Sequence, residues 1–191
     1  YIEVAANGAE TTFKLSDTIS NGIDLLGTTW TPIGTTSFKG IFDGNGKTIR
    51  NFKLRSNSYS GLFSIVENGA IRNLTIENAV TPSTYTYSYV GALAGNVKFA
   101  TVENVHIKDC SIKSSGNYVG GMAGYGDGIV FDGIIVEETQ VKGTSYVGGG
   151  TGYIKGNKIV NTEVSDCSVE ATTSYAGGFA GAIGGYQSSV T

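Results

Sequence analysis

The chain is poor in charge, proline, cysteine and histidine, and the shortages of charge and of histidine each remove a class of protein. Charged residues make up 15 % of the 191, against about 25 % in an average globular protein. Thirteen Lys and Arg face sixteen Asp and Glu, a net charge of -3. No basic cluster offsets that balance, which argues against nucleic acid as a partner. No apolar run approaches the roughly 18 residues that span a bilayer as a helix, so membrane insertion is not expected. No leader stands at Tyr1, and a secreted protein would have lost one. The single histidine, His106, cannot form a multi-His metal site, and no HExxH is present. Its neighbours Val105 and Ile107 alternate to the other face, so His106 is expected on the solvent side. No window of eleven residues has helical periodicity, which excludes helix-based repeats.

What is abundant is glycine, 29 of 191 residues, about twice the ordinary share. Apolar residues still reach 40 %, so the chain can bury a core rather than remain a disordered Gly-rich linker. Val, Ile, Thr, Ser and Tyr suit pleated surfaces.

A repeat organises them. An aromatic precedes a Gly-rich run at Tyr59, Tyr89, Tyr118, Tyr146 and Tyr175, at spacings of 30, 29, 28 and 29 residues. Alternating runs follow: Asn73–Ile76, Asn104–Ile107, Gly133–Val136 and Asn161–Val164. A third short run comes next: Cys110–Lys113, Thr139–Lys142 and Cys167–Glu170. One such unit cannot bury its apolar face, but stacked units can. The expected fold is therefore all-β: a right-handed parallel β-helix, or β-solenoid, of about 29 residues per coil with three short strands in each. Val90, Leu93, Val105 and Ile107 should point inward in one coil, and Val119, Met122, Ile134 and Val136 in the next. The GxxxG glycines, such as Gly91 with Gly95 and Gly120 with Gly124, suit a tight corner or close backbone approach.

Residues 1–40 lack the full repeat and read as a capping and first-coil region; 41–191 are the repeats of one structural domain. Phe13–Leu15 and Phe38–Phe42 read as strands, Trp30–Gly34 as a turn, and Asp43–Gly46 as a tight turn. Tyr186 to Thr191 break off inside a repeat, so the natural chain is expected to continue.

The segments WTPIG (30–34), FKGIFDGNGKTIRNFKL (38–54), SGLFSIVENGAIRNLTI (60–76) and the later YVGxxAG units resemble bacterial proteins with the GLUG motif. Gly61-Leu-Phe-Ser64 departs from Gly-Leu-X-Gly at its last position. Members of that family are surface or secreted proteins, including adhesin-like proteins and regions flanking immunoglobulin-A-specific metalloproteases. The resemblance implies a right-handed β-helix in a cell-surface, extracellular setting and supplies no catalytic residues.

Several residue sets invite chemistry. Asn51, Asn73, Asn104 and Asn161 read as one amide per coil, able to hydrogen-bond along a ladder. Asn73-Leu-Thr75 is also a glycosylation sequon. Asp109, Glu138 and Asp166 fall at one turn of successive coils, after Asn78. Like charges about 5 Å apart repel, which either Ca²⁺ or fanning into water would relieve. No other cofactor is indicated. Carboxylates also raise the polysaccharide-cleaving β-helices, but no aligned Arg or Lys cluster accompanies them. Cys110 and Cys167 occupy equivalent places two coils apart, about 9.6 Å, too far for the roughly 7 Å limit of a disulfide. Tyr59, Tyr89, Tyr118, Tyr146 and Tyr175 should stack along one edge, either stabilising the stack or offering a surface to a glycan, a cell-surface protein or another copy. The leading expectation is a non-catalytic extracellular structural or adhesion rod. The alternatives are a self-assembling fibre subunit, joined end to end or laterally, and a polysaccharide lyase or hydrolase.

Overall fold

In a computed structural model, residues 2–7, 10–55, 58–82, 85–185 and 189–190 are described, with side chains for 11–55, 58–82 and 85–185. Tyr186, Gln187, Ser188 and Thr191 lie outside the described residues. The described chain is all-β, a solenoid of about six coils some 29 residues apart.

Three parallel sheets run along it. The largest stacks Ile41–Leu54, Ala70–Val80, Thr101–Lys108, Val130–Glu137 and Lys158–Val160. The second stacks Phe63–Glu67, Ala94–Lys98, Ala123–Asp127, Thr151–Lys155 and Ala180–Gly184. The third is narrow: Val119–Gly120, Val147–Gly148 and Ala176–Gly177, extended by bridges from Ser60 to Val90 to Val119. Ser111–Lys113, Gln140–Gly143 and Ser168–Ala171 form a further leg of the large sheet. The coil from Val119 to Gly143 thus has four strands rather than three. The glycine run after each Tyr is two strands, because the bend at Gly121–Met122 carries the chain from the narrow sheet to the second one.

A rule of five residues sets the outline of the coil. Phe99, Asn104 and Asp109 all have positive φ, and so do Gly128, Gly133 and Glu138 one coil later. Between these left-handed corners the chain alternates in and out, and each corner shifts the alternation by one. Val97, Ala100, Val102, Val105, Ile107, Cys110 and Ile112 therefore all reach the core, where strict period-two alternation would turn half of them outward. Asn and Gly suit these corners because they tolerate positive φ. The eight residues expected to point inward, from Val90 to Val136, are all fully buried.

Two readings of the first coils are corrected. Asp43–Gly46 is not a turn between strands but a bulge within Ile41–Leu54, opposite Asn73. Asp43 Oδ1 accepts from the Asn45 N–H at 2.8 Å, and Asn45 and Gly46 both take positive φ. Phe38–Phe42 is not one strand. Phe38 bridges to Val66 in the second sheet, whereas Ile41 opens the large one, so a corner lies between them. At the N-terminal end Ile2–Asn7 pairs antiparallel with Glu10–Leu15. This hairpin reverses the strand direction at that edge of the large sheet, which blunts parallel addition there.

Candidate functional site

The tyrosine row lies where each coil turns into the narrow sheet. The centre-to-centre distances are 4.9 Å for Tyr59–Tyr89, 4.8 Å for Tyr89–Tyr118, and 5.1 Å for both Tyr118–Tyr146 and Tyr146–Tyr175. The spacing is that of adjacent parallel strands, about 4.8 Å, so the rings inherit it from the backbone. Tyr89, Tyr146 and Tyr175 have φ of 58°, 50° and 48°. A bulky residue in that region is unusual and costs about 1–2 kcal/mol. Ring contacts offset the cost: Tyr89 and Tyr146 each touch both neighbours in the column, and Tyr175 touches Tyr146.

A second row was not foreseen. Tyr125 and Tyr153 point outward from the second sheet, stacked at 5.3 Å and 8°. Tyr125 meets Tyr89 and Tyr118 edge-on, and Tyr153 meets Tyr118 and Tyr146 the same way. The signal for it was present: Tyr125 and Tyr153 each stand seven residues after a first-row tyrosine. One coil earlier Asn96 holds that place, 3 % exposed, with no hydrogen-bond partner for its Oδ1 among the described residues.

Glycine makes the two rows meet. A Cβ on Gly124 would strike the backbone of Tyr89 and Val90, and one on Gly152 the backbone of Val119 and Tyr146. The strand of the second sheet can therefore lie directly against the turn that carries the first row.

Seven tyrosines form a ridge. Because each ring covers its neighbour, the ridge presents ring edges and hydroxyls, with a largely free face at Tyr175, 61 % exposed. Burial is the main cause that raises the pKa of Tyr89 and Tyr125, helped at Tyr89 by the neighbouring Tyr118 and Tyr59 and at Tyr125 by Asp127. Both hydroxyls stay protonated at neutral pH and can donate as well as accept.

The other candidate residues are placed differently. Asp109, Glu138 and Asp166 do occupy one corner in successive coils, at φ near 50°, with Asn51 and Asn78 before them. All three acids are exposed, and Lys108 Nζ lies 3.5 Å from Glu138. Among the described residues no group of three or more His, Cys, Asp or Glu is gathered to hold a metal. The amide ladder is split between two corners. Asn104 donates to Asn73 (3.3 Å) and Asn73 to Asp43 (3.2 Å), whereas Asn78 donates to Asn51 (2.7 Å) and Asn51 to Asp24 (2.9 Å). Asn161 donates to Asp132 at 2.8 Å, because Gly133 fills the corner between it and Asn104. These amides lie at outer corners rather than in the core.

His106 sits on the outer face with its Nε2 3.0 Å from Glu137 Oε1. Both cysteines are free. Thr139 separates them in the column, donating to Glu137 O and accepting from Cys110 N–H. Burial pushes the Cys110 thiol up to about 12, which leaves it un-ionised and unreactive at neutral pH.

No protein-family model matches the chain. Over 91 residues, 45 % of this chain, it is 34 % identical to a protein of Evansella cellulosilytica named "Putative Gly-rich membrane protein", of which it spans 10 %. Its fold resembles that of a solved chain from Bacteroides ovatus described as a "putative immunoglobulin A1 protease", with a TM-score of 0.63 and 20 % identity. That likeness covers 94 % of this chain and 57 % of the other, and at this identity it concerns the fold alone. Among the described residues no helix is long and apolar enough to cross a membrane.

Proposed function

We propose that this chain is a non-catalytic structural and adhesion module of an extracellular or cell-surface protein, and that the tyrosine ridge is its recognition edge. The observation that carries this reading is the set of positive-φ tyrosines at Tyr89, Tyr146 and Tyr175. Most other left-handed corners of these coils hold Asn, Asp or Gly, with Phe99 and Glu138 as exceptions, whereas Tyr recurs at this one corner in three coils, and backbone strain collects at functional sites. The ridge suits an extended partner with hydroxyl or amide groups repeating at the coil spacing, such as a glycan chain or an exposed strand of a cell-surface protein. The relative named as a membrane protein supports a surface setting.

The test uses Tyr→Phe replacements at 89, 118 and 146 together, which keep the stacked rings and remove three hydroxyls. Binding to a glycan panel and to intact cells should fall while the melting temperature holds. Binding that is unchanged by the triple variant, or cleavage of a polysaccharide by the wild type, would overturn the reading.

One observation favours a second reading, end-to-end assembly. In the last described coil Val164, Val169 and Phe179 are only partly buried and Ile183 is 54 % exposed. An apolar edge of this kind accepts further parallel strands, from following coils of the same chain or from another copy. Mass measured across a concentration series separates the two: the adhesion reading expects a constant mass, assembly a rising one.

A further inference from the structure

Ahead of the tyrosine row a groove of about 370 Å³ crosses four consecutive coils. Equivalent places in successive coils line it: Thr86, Ser115, Thr144 and Thr172, flanked by Lys113 and Lys142. Its floor is fixed. Ser115 N–H donates to Tyr85 O at 3.0 Å, Thr144 N–H to Gly116 O at 2.9 Å, and Thr172 N–H to Gly143 O at 3.0 Å. Those backbone donors are used from coil to coil, and Thr144 Oγ1 donates to Ser115 O at 2.7 Å and is left to accept, so a ligand must be met by side-chain hydroxyls and ammonium groups.

One wall belongs to this coil alone. Val80 and Ser111 are register partners, yet Tyr89 follows Val80 by 9 residues and Tyr118 follows Ser111 by 7. The longer loop folds Tyr85 inward, 3 % exposed, with its hydroxyl donating to Arg55 O at 3.0 Å. Tyr87 packs edge-on against it at 5.5 Å. The insertion shapes a wall of the groove and also ties this coil to its neighbours through Arg55 and Ser115.

Charge selects the ligand. Lys113 and Lys142 are register neighbours. Lys142 Nζ is 2.7 Å from Glu170, whereas Lys113 is exposed and has no ion pair among the described residues. Both lysines also line an adjoining hollow of about 330 Å³. Lys113 therefore leaves one uncompensated positive charge beside the groove hydroxyls.

We propose that this groove binds an acidic oligosaccharide lying along the solenoid axis, with its anionic group against Lys113 and its hydroxyls against Ser115, Thr144 and Thr172. Three coil steps span about 14 Å, the length of a short oligosaccharide. The site is separate from the tyrosine ridge and does not rest on the function proposed for it.

Calorimetric titration of the whole chain with tetragalacturonate, a heparin-derived tetrasaccharide and neutral cellotetraose tests this. Binding of either acidic probe at one site, weakened by salt, is expected; which of the two binds distinguishes an unsulfated polyuronate from a sulfated glycan. Lys113→Gln should weaken it at least tenfold without moving the melting temperature, and Thr172→Val should weaken it less. Tyr118→Phe with Tyr146→Phe should leave it intact. Failure of both acidic probes to bind, equal binding of cellotetraose, or affinity that follows the tyrosines and ignores Lys113 would overturn the proposal.

Discussion

Tyr118 and Tyr146 stand 28 residues apart in the chain, yet their rings lie face to face, 5.1 Å between centres and 10° between planes. Tyr118 also touches Tyr89, Tyr125 and Tyr153. Aromatic pairs contribute about 0.5–1.5 kcal/mol each beyond their area. Tyr118→Ala should therefore cost about 3 kcal/mol, read by chemical denaturation. Tyr175→Ala, exposed and with one ring partner, should cost under about 1 kcal/mol. Equal losses would contradict the stacked geometry.

Gly149 and Gly178 hold the same place one coil apart. A Cβ on Gly149 would run into the carbonyl oxygen of Gly178 and the Val164 side chain. A Cβ on Gly178 meets nothing within 4 Å among the described residues. Gly149→Ala should destabilise by about 2 kcal/mol or more, and Gly178→Ala by less than about 0.5 kcal/mol. Thermal melts of the two variants decide it.

Glu138 has a φ of 49°, at a corner where coils on either side use Asp. Asn tolerates this conformation better and removes one of three like charges. Glu138→Asn should raise stability by about 1 kcal/mol, since the exposed pair with Lys108 is worth little. A lower melting temperature would show that the corner is not strained.

Asp43 carries an acid-sensitive link between coils. Burial opposes its ionisation, but hydrogen bonds from the Asn45 N–H, Asn73 and Arg72 prevail and hold its pKa below 3.8. A carboxylate lowered on folding stabilises above its unfolded pKa, about 3.9, and that contribution disappears as pH falls through the folded value. Asp43→Asn should be less stable than the wild type at pH 7, with the gap closing below about pH 4. A gap independent of pH would contradict the assignment.

Much of this was legible in the sequence, because the repeat and the core share one cause. Tyr and Gly recur every 28 to 30 residues, and stacked coils make equal spacing in sequence equal position in space. That placed the first tyrosine row, the inward residues from Val90 to Val136, and the two-coil gap between the cysteines. The five-residue corners were harder to see. A left-handed corner is written as Asn in one coil, Gly in the next, and as the exposed Phe99 or Glu138 elsewhere, so no single letter marks it. Asn51 was misplaced for the same reason: the bulge at Gly44–Gly46 adds residues, and Asn51 falls in line with Asn78 rather than Asn73. The second tyrosine row escaped because only two coils carry it. The groove depends on a loop insertion and on Lys142 being neutralised while Lys113 is not, which spacing alone does not reveal.

The central claim is that equivalent residues of successive coils lie directly over one another. Ser111, Gln140 and Ser168 are three such residues. With Cys110 and Cys167 replaced by Ala, cysteines at 140 and 168 should form a disulfide under mild oxidation, since adjacent coils are about 4.8 Å apart. Cysteines at 111 and 168, two coils apart at about 9.6 Å, exceed the roughly 7 Å limit and should stay free. Intramolecular linkage of 111 to 168, or none between 140 and 168, read by mass spectrometry of non-reduced digests, would contradict the account.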